Sequence, residues 1–390
     1  MKKFLSIILF LAIACGMMYF VGDDLRLIVE NAIPSLSASG TTAGGQGNGT
    51  TATTAGGGVT DSKPDGDGTT AGTGEQNKPT DPTPPTPIIT DGGYYFQQLS
   101  EAAKTVYSAI YSDPLNTEGI AIQFVTPISV TVGASESEEE AKERLQNLLL
   151  SEIQPALDAL VYDHPDIDWI RAGDGEGSTF HFATKQDGDR FYIDSLHFIL
   201  VTEEREGGVE AHRDALKAAI EEIEISGANR YELLLAIQRE ICARTVYTLD
   251  GVYAHDAAGV FLKGEAVCDG YAKALKLLCD RYGIPCVIVA GTAVQTSSSE
   301  AHAWNYVQME DGKWYAVDVT WNDKDTDEPS TDYFLVGRNS KKSAFSTPFC
   351  ESHLPSGYFS GGNYEEFEFP PLENEHYEQP TEEDGEELAA

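Results

Sequence analysis

Residues 264–286 read GEAVCDGYAKALKLLCDRYGIPC, and this stretch decides how the rest of the chain is interpreted. A glycine-containing segment leads into an amphipathic run that Gly283 and Pro285 end, which predicts a helix over residues 267–282. Cys268 lies where this helix begins. Because the first turn of a helix presents unpaired N–H groups and a partial positive charge, a thiolate is favoured there. At this point Cys268 is a nucleophile, half of a disulfide or a core residue.

The segments that follow carry strand patterns, namely CVIVAGTA, AHAWNYVQM, KWYAVDVTW and DYFLVG. Helices followed by an antiparallel sheet predict an α+β fold. His302 and Asp318 lie on neighbouring predicted strands and are candidates for a base and the group that orients it. A two-residue turn at 311–312 would place them on opposite faces of the sheet. A three-residue loop over 310–312, with Gly312 in the left-handed conformation, would place them on one face. A triad therefore requires the three-residue loop.

The blocks VCDGYAKAL, HAWNYV and WYAVDVTWND resemble the transglutaminase-like (papain-related) superfamily over about residues 229–340. The resemblance is strongest to bacterial surface proteins that carry this domain after an N-terminal anchor. It implies a papain-like core, in which the helix bearing the cysteine packs on an antiparallel sheet bearing the histidine and the aspartate. It further implies Cys268 as nucleophile, His302 as general base and acid, and Asp318 as the residue that orients the imidazole. The family's oxyanion donor outside the helix start matches no residue that can be named.

Other residues near these blocks are candidates for the substrate cleft. They are Tyr271, Trp304, Asn305, Trp321 and, in the loop before the nucleophile, His255. For the aromatic residues, core packing is an equal alternative. The remaining cysteines of the folded part are core thiols or include one disulfide, and their spacing matches no metal site. We expect neither a metal nor a cofactor.

The first 22 residues predict a segment that contacts a membrane. Lys2 and Lys3 precede an uncharged run over residues 4–22, which at about 1.5 Å per residue approaches the thickness of a hydrocarbon core. Three readings stay open: an uncut anchor, a lipoprotein with Cys15 as the lipidated residue, or a cleaved signal segment. Because the positive flank stays inside, all three place the rest of the chain outside the membrane.

Composition divides the rest of the chain. Residues 35–91 are rich in Gly, Thr and Pro and hold too little apolar surface to fold, which predicts a disordered linker. Residues 364–390 predict an acidic, disordered tail. Between them we expect a smaller mixed α/β region at 94–226 and the transglutaminase-like domain at 227–360.

Two hypotheses about function follow. The first is an extracytoplasmic, cysteine-dependent acyltransferase, amidohydrolase or peptidase that acts on protein or peptide amides at the cell envelope through a thioester. The alternative is a non-catalytic surface binding module that keeps the same fold. The formal net charge of −37 argues against nucleic acid as a partner. We expect a monomer that meets the membrane only through its N-terminal segment.

Overall fold

The computed structural model describes most of the chain after the linker, at residues 92–170, 178–295, 298–324, 326, 328–341, 347–357 and 364–379. The predicted membrane segment with Cys15, the linker at 35–91 and the last residues of the tail lie outside these ranges. Within the described part of the chain, no helix combines the length and apolar character needed to cross a membrane.

The N-terminal region packs helices against an antiparallel sheet. Helices α1 (Glu101–Ser112) and α2 (Glu138–Asp163) both contact strand β1 (Ile120–Thr131). A capping box between Ser137 and Glu140 fixes the start of α2. Aliphatic and aromatic residues of both layers form one buried cluster, which explains why this region is mixed α/β as predicted.

The other strands of this sheet follow α2 and include a hairpin. They are β2 (Thr179–Phe182), β3 (Lys185–Asp187) and β4 (Arg190–Ile199), and β4 pairs antiparallel with β1, β2 and β3. Asp187 pairs with Arg190, and Gly188 between them has a φ of 61°. An Asp-Gly pair between two strands is typical of such a hairpin turn.

The C-terminal region is the α+β core that the sequence predicts. Its helices are α3 (Val209–Glu221), α4 (Arg230–Arg244) and α5 (Cys268–Arg281). Its sheet has the order β10-β7-β8-β9, formed by β7 (Cys286–Gln295), β8 (Ser298–Gln308), β9 (Trp314–Val317) and β10 (His353–Pro355). All neighbouring strands run antiparallel.

Helix α5 packs on this sheet through an apolar face, and its buried side chains include Leu275 and Leu278. A short parallel pair, β5 (Val246–Tyr247) and β6 (Glu265–Ala266), leads directly into the start of α5. Leu216 of α3 is buried in the same cluster as α5. The sequence analysis assigns the residues of α3 to the 94–226 region, but the helix packs with the core of the C-terminal region.

The β8–β9 hairpin has the register that the three-residue loop predicts. Gln308 pairs with Trp314, the Met309 amide donates to the Lys313 carbonyl, and Gly312 has a φ of 77°. The predicted strand over 313–321 is too long, however. It ends at Val317, and Asp318 instead caps a short helix α6 (Val319–Asn322) by accepting a bond from the Trp321 amide at 3.0 Å.

The acidic segment after residue 364 is more ordered than predicted. Phe367 is only 5% exposed and joins the core of the N-terminal region. Leu372 bridges to Trp314, and the Tyr377 amide donates to the Leu335 carbonyl at 2.9 Å. These large apolar residues recur between the acids and bury against both cores, so the net charge of the segment does not prevent it from folding back.

Candidate active site

Cys268 is the first residue of α5, as the sequence predicts. The preceding Val267 is extended and donates its amide to the Ala254 carbonyl at 2.9 Å. Gly270 allows this close approach, because a Cβ at that position would lie 2.5 Å from the same carbonyl oxygen. The thiol is half-buried and unoxidised. It therefore sits at a helix N-terminus held against a tightly packed loop.

His302 on β8 and Asp318 at the end of β9 lie side by side. The Nε2 atom of His302 is 2.8 Å from Oδ2 of Asp318, and the two side chains are 3% and 0% exposed. Because Asp318 engages Nε2, Nδ1 is the ring nitrogen left to face Cys268, and Cys268 also contributes to the raised pKa of His302. The hairpin register thus brings His302 and Asp318 into contact, with Cys268 near enough to act on the imidazole.

His302 and Asp318 each favour the charged form of the other. Burial alone would lower the pKa of His302, but the Asp318 carboxylate, its hydrogen bond and the contact with Cys268 raise that pKa well above its usual value. Burial alone would raise the pKa of Asp318, but His302 and a second imidazole keep it far below its usual range. The pair is accordingly held as an imidazolium and a carboxylate at neutral pH.

The second imidazole belongs to His353, which the sequence analysis did not identify. Its Nε2 lies 3.1 Å from Oδ2 of Asp318, and its Nδ1 lies 2.9 Å from the Ser352 hydroxyl. His353 comes from β10, after the last block of the family resemblance. Nothing in the local pattern CESHLPS distinguishes it from an ordinary structural histidine.

Comparison with known proteins agrees with the fold. Residues 217–319 match the model of the transglutaminase-like superfamily. The chain carries a transglutaminase-like domain. Kyphoscoliosis peptidase from Mus musculus is 31% identical over 96 residues, which cover 23% of this chain and 14% of that protein. The chain thus spans about one seventh of the length of this curated relative.

Solved structures resemble the transglutaminase-like domain more loosely. The crystal structure of a TGase is 16% identical, covers 44% of this chain and 49% of its own, and superposes with a TM-score of 0.26. The periplasmic domain of TgpA from Pseudomonas aeruginosa, bound to ethylmercury, is 19% identical over 39% of this chain and 67% of its own, with a TM-score of 0.23. The family assignment rests on the sequence match.

The transglutaminase-like domain brings some of the predicted cleft residues together and buries others. Trp321 is partly exposed, with its ring 5.3 Å from that of His302. Trp304 also stacks near His302, at 6.0 Å, but is 1% exposed. Tyr271 and Asn305 are buried away from solvent, with Tyr271 bonded to Asp323 and Asn305 to the Ala272 carbonyl. Tyr271, Asn305 and Trp304 are thus packed in the interior and do not form a wall of an open cleft.

His255 lies beside Cys268, and its contacts are made to the residue that follows the cysteine. Its Nδ1 is 3.0 Å from both carboxylate oxygens of Asp269, the residue after Cys268. The hydrogen bond and charge of Asp269 raise the pKa of His255, although burial opposes this. The side chain is 45% exposed. A positive His255 offsets the acidic charge that Asp269 places next to the thiol.

Three side chains at the site have the composition of a metal centre. Atoms of His302, Asp318 and His353 lie within 4.8 Å of one another and are all buried. In the structure both imidazole Nε2 atoms point at the same carboxylate oxygen at hydrogen-bonding distances. The three side chains therefore form a hydrogen-bonded group, in which both imidazoles bond to the carboxylate.

A buried ionic cluster supports the loop beneath Cys268. Asp168, which lies between α2 and β2, contacts His212 at 2.9 Å and Arg205 at 3.7 Å. Arg205 reaches on to Asp256 at 3.0 Å, and Lys273 of α5 contacts that carboxylate at 3.3 Å. The cluster therefore connects the N-terminal region to the loop and helix that position the nucleophile.

Proposed function

We propose that this chain is an extracytoplasmic, cysteine-dependent enzyme that transfers or hydrolyses the acyl group of protein or peptide amides. The observation that carries the proposal is the buried 2.8 Å contact between His302 and Asp318, with the half-buried Cys268 close enough to contribute to the raised pKa of His302. An oriented imidazole that accepts a thiol proton at a helix N-terminus is the arrangement that cysteine nucleophiles require.

The reaction follows from these positions. The Cys268 thiolate attacks the amide carbonyl carbon, and the tetrahedral oxyanion is stabilised by backbone N–H groups of the first turn of α5. The C–N bond then breaks as the His302 imidazolium gives its proton to the leaving amine or ammonia. A thioester remains on Cys268.

Water or an amine resolves the thioester. Neutral His302 takes a proton from the incoming nucleophile, which attacks the thioester carbonyl, and the S–C bond breaks. The product is a carboxylic acid with water or a new amide with an amine. The Cys268 thiolate and the His302 imidazolium are restored, and Asp318 holds the ring in one orientation throughout.

Exposed apolar residues beside the nucleophile favour an extended peptide as the substrate. Val246 and Tyr247 of β5 are 62% and 48% exposed. Strand β5 pairs with β6, and β6 ends two residues before Cys268. Exposed apolar side chains on a short strand next to the thiol offer contacts for side chains that flank a scissile amide.

The location is part of the proposal. The basic residues before the uncharged 4–22 run, and the Gly- and Pro-rich composition of 35–91, support a folded part that is held outside the membrane by a tether. A net charge of −37 suits a solvated protein outside the cell. Substrates at the cell envelope lie within reach of such a tether.

Alkylation of Cys268 by iodoacetamide, measured against pH on the full-length chain and mapped by mass spectrometry, tests the proposal. We expect fast labelling well below pH 8 that is lost in His302→Ala. His181→Ala, which removes an exposed histidine on β2, serves as the matched control and should not change the rate. Slow labelling of the wild type that His302→Ala leaves unchanged would reject the enzyme and favour the non-catalytic binding module.

A further inference from the structure

His353 is buried beside Asp318, in contacts that packing alone does not explain. Its ring is buried at 1% exposure and stacks on Phe349 at 4.1 Å. Its Nε2 meets the same oxygen of Asp318 that His302 uses. Asp318 therefore has three partners: two imidazoles at Oδ2 and the Trp321 amide at Oδ1.

The chemistry of these partners fixes the protons. An ionised carboxylate only accepts hydrogen bonds, so Nε2 of His353 carries a proton and donates it to Asp318. Burial lowers the pKa of His353 despite that bond, which keeps the ring neutral. Nδ1 is then an acceptor, and the single proton of the Ser352 hydroxyl is divided between Nδ1 at 2.9 Å and the Phe349 carbonyl at 3.0 Å.

We propose that His353 is a positioning residue for the reaction, which holds the Asp318 carboxylate so that the carboxylate can hold His302. The inference rests on the proposed function. With His353 in place, Oδ2 is fixed by a neutral donor that adds no positive charge beside the His302 imidazolium. Without it, the carboxylate keeps the bond to His302 at Oδ2 and the Trp321 amide at Oδ1, and it is held less firmly in the orientation that His302 needs.

The strand that carries His353 is fitted closely to the sheet. His353 pairs with Ala293, and Pro355 pairs with Gly291, which itself pairs with His302. A Cβ on Gly291 would lie 2.1 Å from the Leu354 carbonyl oxygen. Only glycine allows β10 to approach β7 this closely, and this approach brings His353 within reach of Asp318.

The titratable groups that face His353 come from three other elements. They are Asp318 at the end of β9, His302 on β8 with its ring 5.8 Å away, and Tyr333 with its ring 5.5 Å away. Only Asp318 carries a charge that attracts a donor, and His302 repels a second positive ring. These surroundings suit a neutral imidazole donor.

A pair of variants of similar size separates positioning from packing. His353→Gln keeps an N–H near the Nε2 position and thus the bond to Asp318. His353→Asn keeps an amide near the Nδ1 position and thus the bond to Ser352, but it is too short to reach Asp318. Both are compared in the full-length chain, at a temperature where each is folded, by the rate of Cys268 alkylation at pH 6 to 7.

We expect His353→Asn to lower the rate about tenfold, the usual effect of losing one hydrogen bond to a charged group, and His353→Gln to stay within threefold of the wild type. Equal rates in the two variants, whether both normal or both low, overturn the proposal. Phe349→Leu removes the ring stack while leaving the side-chain hydrogen bonds of His353 in place, so it controls for lost packing.

Imidazole nitrogen NMR provides a readout that does not depend on catalysis. In the wild type we expect a neutral His353 protonated on Nε2 at pH 7, and in His353→Asn we expect His302 to titrate at lower pH. A wild-type His353 protonated on Nδ1, or a His302 titration that His353→Asn does not lower, overturns the proposal even where a variant folds poorly. A wild type that shows these protons but no His302-dependent alkylation would instead contradict the proposed function.

Discussion

Arg205 is the cation at the centre of the buried cluster beneath the nucleophile loop, and replacing it with methionine is the most informative test of the architecture. Its side chain is 3% exposed and contacts the carboxylates of Asp168, Asp256 and Glu203. The guanidinium also lies 4.7 Å from the centre of the Tyr253 ring. Methionine keeps most of the aliphatic stem and removes the charge, so it isolates the electrostatic contribution.

The size of the effect follows from burial. Removing one partner of a buried ionic cluster leaves uncompensated charge and costs about 3–5 kcal/mol. In a folded unit of this size, each kcal/mol lowers the melting temperature by about 2–4 °C. We therefore expect Arg205→Met to melt roughly 6–20 °C below the wild type.

The pH dependence distinguishes lost charge from lost packing. Burial, together with the charge of Asp256, already raises the pKa of Asp168 in the folded protein. Without Arg205 that pKa rises further. A carboxyl with a raised pKa in the folded state contributes stability that is present at low pH and is lost as the pH rises. Arg205→Met should therefore lose more stability at pH 8 than at pH 5.

Thermal unfolding followed by circular dichroism at both pH values measures this. Arg213→Met is the matched control, because Arg213 pairs with Asp214 on the surface at 43% and 68% exposure. An exposed pair contributes at most about 1 kcal/mol. If Arg205→Met loses no more than the control, or loses the same amount at pH 5 and pH 8, then the cluster does not stabilise the loop through its charges.

Two further predictions concern other buried positions. Gly291→Ala should displace β10 and lower the rate of Cys268 alkylation while most of the circular dichroism signal remains, and an unchanged rate would contradict the close strand contact. Burial raises the pKa of Asp163 to about 6, so its contribution of about 3 kcal/mol should be lost between pH 4 and 6. Urea titrations of the wild type should show this decrease and Asp163→Asn should not. An equal decrease in both would assign the pH dependence to other groups.

Local patterns in the sequence predict much of the core and part of the site. The helix expected over 267–282 is observed at Cys268–Arg281, because Gly283 and Pro285 end it at the position that the sequence indicates. The register of the β8–β9 hairpin is one of the two that the sequence left open, and it is the one that the triad hypothesis required, with Gly312 in the left-handed conformation. Both features depend on residues adjacent in sequence.

What the sequence did not reveal depends on distant contacts. Asp318 has a strand-like neighbourhood, yet its carboxylate caps a helix, and a pattern of alternating residues does not show that competition. His353 reaches Asp318 only because β10 returns to the far edge of the sheet. Phe367 has glutamate neighbours in sequence, and it is buried against a core formed mostly by residues 95–200.

The segment at 364–379 has a consequence for how the protein is made. The backbone of Glu368 exchanges two hydrogen bonds with the side chain of Gln98, which precedes α1. The Tyr377 amide donates to the Leu335 carbonyl. Synthesis proceeds from the N-terminus at about 5–20 residues per second, so β10 and then these contacts form after α5 has been made. A nascent chain can build the helix that bears the cysteine well before it can complete the carboxylate's surroundings. The Cys268 thiol is thereby kept without the full set of neighbours described here until residues 353–379 have been made.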